Sequence, residues 1–244
     1  MTRILKTLGL ALASMAALVA VMAPAAQAET GQLTAEAYPA ILTGPQNAGG
    51  FAFDIDLAGE PAARQVVCTT SDLEGTITGA TDPVTLQPTY AGCSANPGAK
   101  FVTVTTNGCD YTFGFVKPGT TGWFVGTGGT TAALDCPVGM QIEIHVYENA
   151  TKHTENVSMC TYDIGPQAAV GAGLYHNRAG APKHVELTVS AQFTARSTIG
   201  AGGALCGGNA LTGHLPITLT GTYTLRAWQD NSGVEGAQLG LDVG

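Results

Sequence analysis

Six cysteines, five histidines and 18 carboxylates are the side chains of this 244-residue chain with most chemistry to offer. The cysteines are Cys68, Cys93, Cys109, Cys136, Cys160 and Cys206. No Cys-x-x-Cys occurs among them, which removes the ligand spacing of a zinc knuckle and the paired thiols of a thioredoxin-like site. A catalytic thiolate needs an activating base and usually leaves an odd thiol, whereas an even count in an exported chain favours disulfides. Pairing sequence neighbours closes the shortest loops at the least entropic cost. Six cysteines allow 15 connectivities and sequence alone does not choose among them; the shortest-loop set, Cys68–Cys93, Cys109–Cys136 and Cys160–Cys206, is the expected one. Cys109 follows the turn dipeptide Asn107-Gly108 and reads as a staple at the start of a strand.

The remaining candidates are weaker. His145, His153, His176, His184 and His214 never form His-Glu-x-x-His, and they read as strand and loop histidines. No Gly-x-Ser-x-Gly elbow is present, so a hydrolase would need a Ser/His/Asp triad assembled from distant residues. Asp54 and Asp56 share one strand face and Glu143 points outward from another. That is the ordinary solvent-side placement of carboxylates rather than the paired acids of a glycosidase. "DNSGVE" (Asp230–Glu235) lacks the ligand spacing and distal bidentate Glu of a calcium loop. "GAGG" (Gly200–Gly203) does not join a strand to a helix, so a phosphate cradle has no support. No cofactor and no metal are expected. Two sequons, at Asn149 and Asn156, matter only in a glycosylating pathway. Trp123, Tyr147, Tyr175 and Trp228 lie in or near loops and strand faces. Such aromatics are candidate platforms for a sugar or a protein partner, although core packing is the simpler reading for the two tryptophans.

These residues must be carried by a chain that reads as exported. Arg3 and Lys6 precede an apolar run, Leu8–Met22, of about 15 residues, too short to span a bilayer comfortably. "APAAQAET" then supplies an Ala-x-Ala site, with cleavage expected after Ala28 and a product beginning at Glu29. Removing the first 28 residues leaves 8 basic against 18 acidic side chains, a net charge of about −10. Nucleic acid and anionic membranes repel such a chain. No later apolar run is long enough for a membrane span.

Period-two alternation recurs: "FAFDIDLAG" (Phe51–Gly59), "KFVTVTT" and "DYTFGF" around Asn107-Gly108, "MQIEIHVYE" (Met140–Glu148), "HVELTVSAQFTA", "LPITLTGTYTLRAW" and "AQLGLDV". Alternation marks half-buried strands, and Thr suits both the pleat and a solvated face. Asn-Gly favours a two-residue hairpin turn. The one helix-like spacing, "TAEAYPAIL", is interrupted by Pro39. The reading is an all-β, β-sandwich-like fold of antiparallel sheets, disulfide-stapled, with two abutting β domains as one arrangement. The division is a signal peptide at 1–28, a first β region at 29–125 and a second at 126–244. The Gly- and Thr-rich stretch Pro118–Gly139 is the best linker candidate, and Ile199–Pro216 the second loop.

"PTYAGC" (Pro88–Cys93), "TNGCDYTF" (Thr106–Phe113), "CPVGMQIEI" (Cys136–Ile144) and the terminal "GTYTLRAWQDNSGVEGAQLGLDV" resemble a group of uncharacterised secreted β-rich proteins of actinobacteria. The resemblance covers most of the chain after residue 28. It implies a cysteine-bearing β fold and transfers no activity. The expected function is therefore a secreted, non-enzymatic β protein with a structural or interaction role and an extracellular or cell-surface partner. A carbohydrate- or ligand-binding module using exposed aromatics is the first alternative, and a secreted hydrolase with a dispersed site the second.

Overall fold

The computed structural model describes residues 30–56, 64–96, 100–117, 127–169, 171, 173–200, 214–231 and 235–244. Two short strands, β1 (Thr30–Gly31) and β2 (Leu33–Ala35), precede β3 (Ala40–Pro45) and β4 (Phe51–Ile55). Two long strands follow, β5 (Arg64–Ile77) and β6 (Val84–Asn96). Next come β7 (Lys100–Thr105), β8 (Asp110–Val116), β9 (Thr127–Asp135) and β10 (Ile142–Tyr147). A single-turn helix, α1 (Ala150–Thr154), leads to β11 (Cys160–Ile164), β12 (Gln167–Ala168) and β13 (Gly173–Arg178). The long pair β14 (His184–Ile199) and β15 (His214–Asp230) is followed by β16 (Glu235–Leu239) and β17 (Leu241–Val243).

The pairings reduce these strands to eight antiparallel lanes. β5 runs beside β6, and β14 beside β15, without a break. The other four lanes are each two short strands laid end to end. β4 and then β3 flank successive parts of β5 and fill the space between it and β15. β7 and β8 follow one another along β6. β10 and β9 lie beside β7 and β8, and β11 and β13 fill the space between them and β14. The lanes follow chain order and the last returns to the first, so the circuit closes and leaves few strand edges exposed. β3 to β8 supply four adjacent lanes and β9 to β15 the other four, all within one continuous sheet. The all-β, antiparallel, disulfide-stapled fold expected from the sequence is the fold observed.

Alternation decides which side chains fill the interior. Phe53, Ile55, Leu73, Phe113, Leu187, Phe193, Leu219 and Leu225 are buried, while the threonines between them face out. The interior is packed to the axis: the central void, lined among others by Phe51, Tyr111, Phe193 and Tyr223, measures about 10 Å³, no more than one water requires. Gly128 leaves room for the ring of Tyr175, which a Cβ there would strike. β2 and β17 pair across one end of the circuit and drop Leu33, Leu241 and Val243 into the core. Each such side chain contributes about 1.5–3 kcal/mol by leaving water. Asn177 fixes this cap, donating from Nδ2 to the Val243 carbonyl and accepting from its N–H.

Where a lane breaks, the adjacent strands lose ladder partners. Groups within the breaks take their place or tie the breaks together. Gln167 bonds both the carbonyl and the N–H of Thr194, each at 2.7 Å, on the stretch of β14 between its β13 and β11 partners. Asn107 donates to the Gln141 carbonyl, linking the β7/β8 break to the β9/β10 break. The Asn47 N–H bonds Thr222 of β15 while its Oδ1 accepts from Thr224. Cys109–Cys136 joins the same two breaks covalently, and Cys68–Cys93 ties β5 to β6 at directly opposed positions. Two expected bridges are thus formed. Cys160 is also disulfide-bonded, and its expected partner Cys206 lies outside the described residues.

Three expectations need correction. Asn107 and Gly108 do adopt positive φ (51° and 74°), with the Cys109 N–H bonded to Thr106, yet β7 and β8 do not pair. Both run antiparallel to β6, so the turn steps the chain along one neighbour instead of reversing it. The stretch Pro118–Gly139 is not a linker throughout, because Thr127–Asp135 forms β9 and pairs with both β8 and β13. Gly and Thr there satisfy a crowded lane and conceal the alternation. The last strand is also two: Gly240 separates β16, on β15, from β17, on β2.

The double variant C109S/C136S removes the bond between the two breaks, which closes a loop of 27 residues. It is expected to lose about 2–4 kcal/mol in chemical denaturation while keeping its β circular dichroism. An unchanged midpoint would show that the breaks do not depend on this bridge.

Candidate functional site

The break between β3 and β4 shapes the largest described groove. "QNAGG" (Gln46–Gly50) leaves the sheet there, and Gly49 and Gly50 take φ of 134° and 84°, values that side chains disfavour. The Gln46 N–H bonds the Ser71 carbonyl, so the excursion is held at its root as well as at Asn47. Its opposite wall is the outward face of β14 and β15, where Thr188 faces Thr222 and Ser190 faces Thr220. The Thr188 and Thr222 hydroxyls lie 3.4 Å apart. Ala52 and Val67 form an apolar floor, and Gln65 closes one side. The enclosed space is about 560 Å³, and no ionisable side chain lines it. Asp54 stands behind Gln65, accepting from its Nε2 at 2.7 Å and from Thr220 at 3.3 Å.

A second polar feature crosses β10, β11 and β14 on the outer surface. Glu143 lies opposite Asp163, which lies opposite Arg196. His145 Nε2 is 3.3 Å from Glu143 Oε2, and its Nδ1 is 3.5 Å from the Thr161 hydroxyl. Burial, and next the facing Glu143, push the Asp163 carboxyl above its usual range, against the pull of His145 and Arg196. Thr161, His145 and Glu143 therefore form a hydroxyl–imidazole–carboxylate row. It sits on an outer sheet face, and β11 is paired on both sides. A third region, of about 440 Å³, is bounded by Glu74, Asp110 and Asp230 with Thr and Gln neighbours. Burial and the opposed Asp135 raise the Asp110 carboxyl. Among the described residues, no three His, Cys, Asp or Glu side chains converge as a metal site.

The expected aromatic platform does not assemble. Tyr147 is 4% exposed, because Phe101 and His153 of α1 cover the outward end of β10. Tyr175 is 1% exposed and packs edge-on against Phe115 inside the circuit. Trp228 is half-buried on β15, its indole N–H donating to Thr43. Trp123 lies outside the described residues. Asp54 is spent on Gln65 and Thr220 instead of pairing with Asp56. The groove residues were not singled out by the sequence reading. Their signal was the outward hydroxyl at every second position of "LTVS" and "TLTGT", beside a Gly-Gly pair.

Compared with protein-family models, curated proteins and solved structures, the chain matches none.

Inside the circuit, hydroxyls of three tyrosines are held in the core. Tyr90 donates to Tyr111 at 2.9 Å, and Tyr223 shares a 2.8 Å bond with the buried Ser71. Burial raises all three phenols above their ordinary value, and Tyr111 and Tyr223 add to this at Tyr90. Because the folded state keeps these protons longer than the unfolded chain, stability is full below pH about 10 and falls as pH rises beyond it. In an alkaline titration, phenolate absorbance from these tyrosines is expected to appear together with loss of β structure. Phenolate formation by all seven tyrosines in a chain that stays folded would contradict this.

Proposed function

We propose that the chain is a secreted, non-enzymatic β protein that works through its outer surface, as a rigid structural or interaction element outside the cell. The observation that carries this reading is the packed interior. Among the described residues the central void of the closed circuit measures about 10 Å³, too small there for cargo, unlike the ligand-holding barrels of similar strand number. The outward positions of β14, from Glu186 through Thr188, Ser190, Gln192 and Thr194 to Arg196, are polar or charged, the reverse of the apolar girdle of a membrane-spanning barrel. No helix among the described residues is long and apolar enough to cross a membrane. Bridged cysteines fit an oxidising compartment.

Expressed in a secreting host, the chain is expected in the culture medium or on the cell surface, beginning at Glu29, with its cysteines protected from alkylation until reduced. Retention in the cytoplasm with an intact N-terminus and six reactive thiols would overturn the export reading. Turnover of any substrate in a broad hydrolase panel, abolished by His145→Ala, would overturn the non-enzymatic one.

A further inference from the structure

We propose that the groove between the Gln46–Gly50 excursion and the β14–β15 wall binds a neutral polyhydroxylated ligand, the chemistry of a short glycan. The site deepens the surface-interaction reading above by naming the class of partner. The lining carries no formal charge, so it offers nothing to select an anion or a cation. The nearest carboxylate, Asp54, already accepts two hydrogen bonds and would repel an anion. What the groove offers is hydroxyls and amides, groups that both donate and accept, as a sugar's hydroxyls do.

Spacing and rigidity support the same ligand. Thr188, Ser190, Thr220 and Thr222 stand on two adjacent strands, two residues apart along each. That sets their Cα positions on a grid of about 4.8 Å by about 6.7 Å, with the Thr188 and Thr222 hydroxyls 3.4 Å apart, a scale one sugar ring bridges. Ala52 and Val67 offer an apolar floor to the C–H face of such a ring. The volume, about 560 Å³, falls within the range of roughly 300–1,000 Å³ for small-ligand sites. The excursion is already fixed by backbone bonds to Ser71 and Thr222, so little ordering cost falls on binding. No aromatic ring lines the groove, so stacking adds nothing and affinity is expected in the range of about 1 mM.

The test is amide chemical-shift mapping of the isotope-labelled, oxidised protein titrated separately with maltotriose, cellotriose and chitotriose, with sodium sulfate as the charged control. At least one saccharide is expected to give saturable shifts centred on Gly49, Gly50, Ser190 and Gly221, insensitive to added salt, while sulfate gives none there. Ser190 is exposed on an unbroken strand, so Ser190→Tyr fills the groove without touching the core. It is expected to weaken binding by about tenfold or more. Thr188→Tyr blocks the same space from a neighbouring position and serves if the first variant gives a poorly dispersed spectrum. Absence of shifts with all three saccharides, shifts centred elsewhere, or full binding by a well-folded blocked variant would overturn the assignment. A chain that fails this test yet is recovered outside the cell still satisfies the export reading.

Discussion

Four of the eight lanes stop near the middle of the molecule, and each stop strips hydrogen-bond partners from a strand that continues past it. An unpaired backbone group away from water costs about 1–3 kcal/mol, so the circuit depends on how these gaps are closed. One amide side chain does this directly. Gln167 presents a carbonyl and an NH₂ to Thr194 much as a neighbouring backbone would. At the β3/β4 break the backbone N–H of Asn47 meets the Thr222 carbonyl, and Asn107 ties two breaks to each other through the Gln141 carbonyl. The Cys109–Cys136 bond then holds two of the interruptions side by side. A cysteine one residue beyond an Asn-Gly pair is thereby explained: the turn displaces the chain, and the sulfur fixes the displacement.

Much of this fold was legible in the sequence because burial on one face imposes a period of two. "FAFDI", "IEIHV" and "ITLTGTYTL" buried the residues their alternation indicated. The two described bridges belong to the shortest-loop set, one of 15 connectivities that the sequence left open. What could not be read was the partner of each strand. Asn-Gly specifies local φ values, which formed, but whether the flanking strands pair depends on β6, which is distant in sequence. β9 escaped notice because Gly128, Gly129 and the threonines obscure the pattern, and Gly128 is small for the sake of Tyr175. Tyr147 lies on the outward side as its period requires, yet Phe101 and α1 cover it. Burial by a neighbouring element leaves no trace in a strand's own periodicity.

The candidate site was less legible, for a related reason. Aromatic side chains attract attention as binding residues, and here Tyr175 serves the core while Tyr147 is covered by Phe101 and His153. The groove is built from residues that look like filler: threonine, serine, glycine and one asparagine. Each is unremarkable alone, and only the pairing of β14 with β15 sets their hydroxyls side by side. The charged row of Glu143, Asp163 and Arg196 lies on another part of the surface.

The end cap has a mechanical consequence. β2 and β17 are antiparallel, and Gln32 and Gly244 exchange both backbone hydrogen bonds at the outer end of the pair. Tension applied through residues 32 and 244 would load those bonds one after another, as in opening a zip, rather than shearing them together. Peeling the cap would uncover Leu33 and Leu241, while the sulfur bridges near the middle of the circuit carried the remaining load.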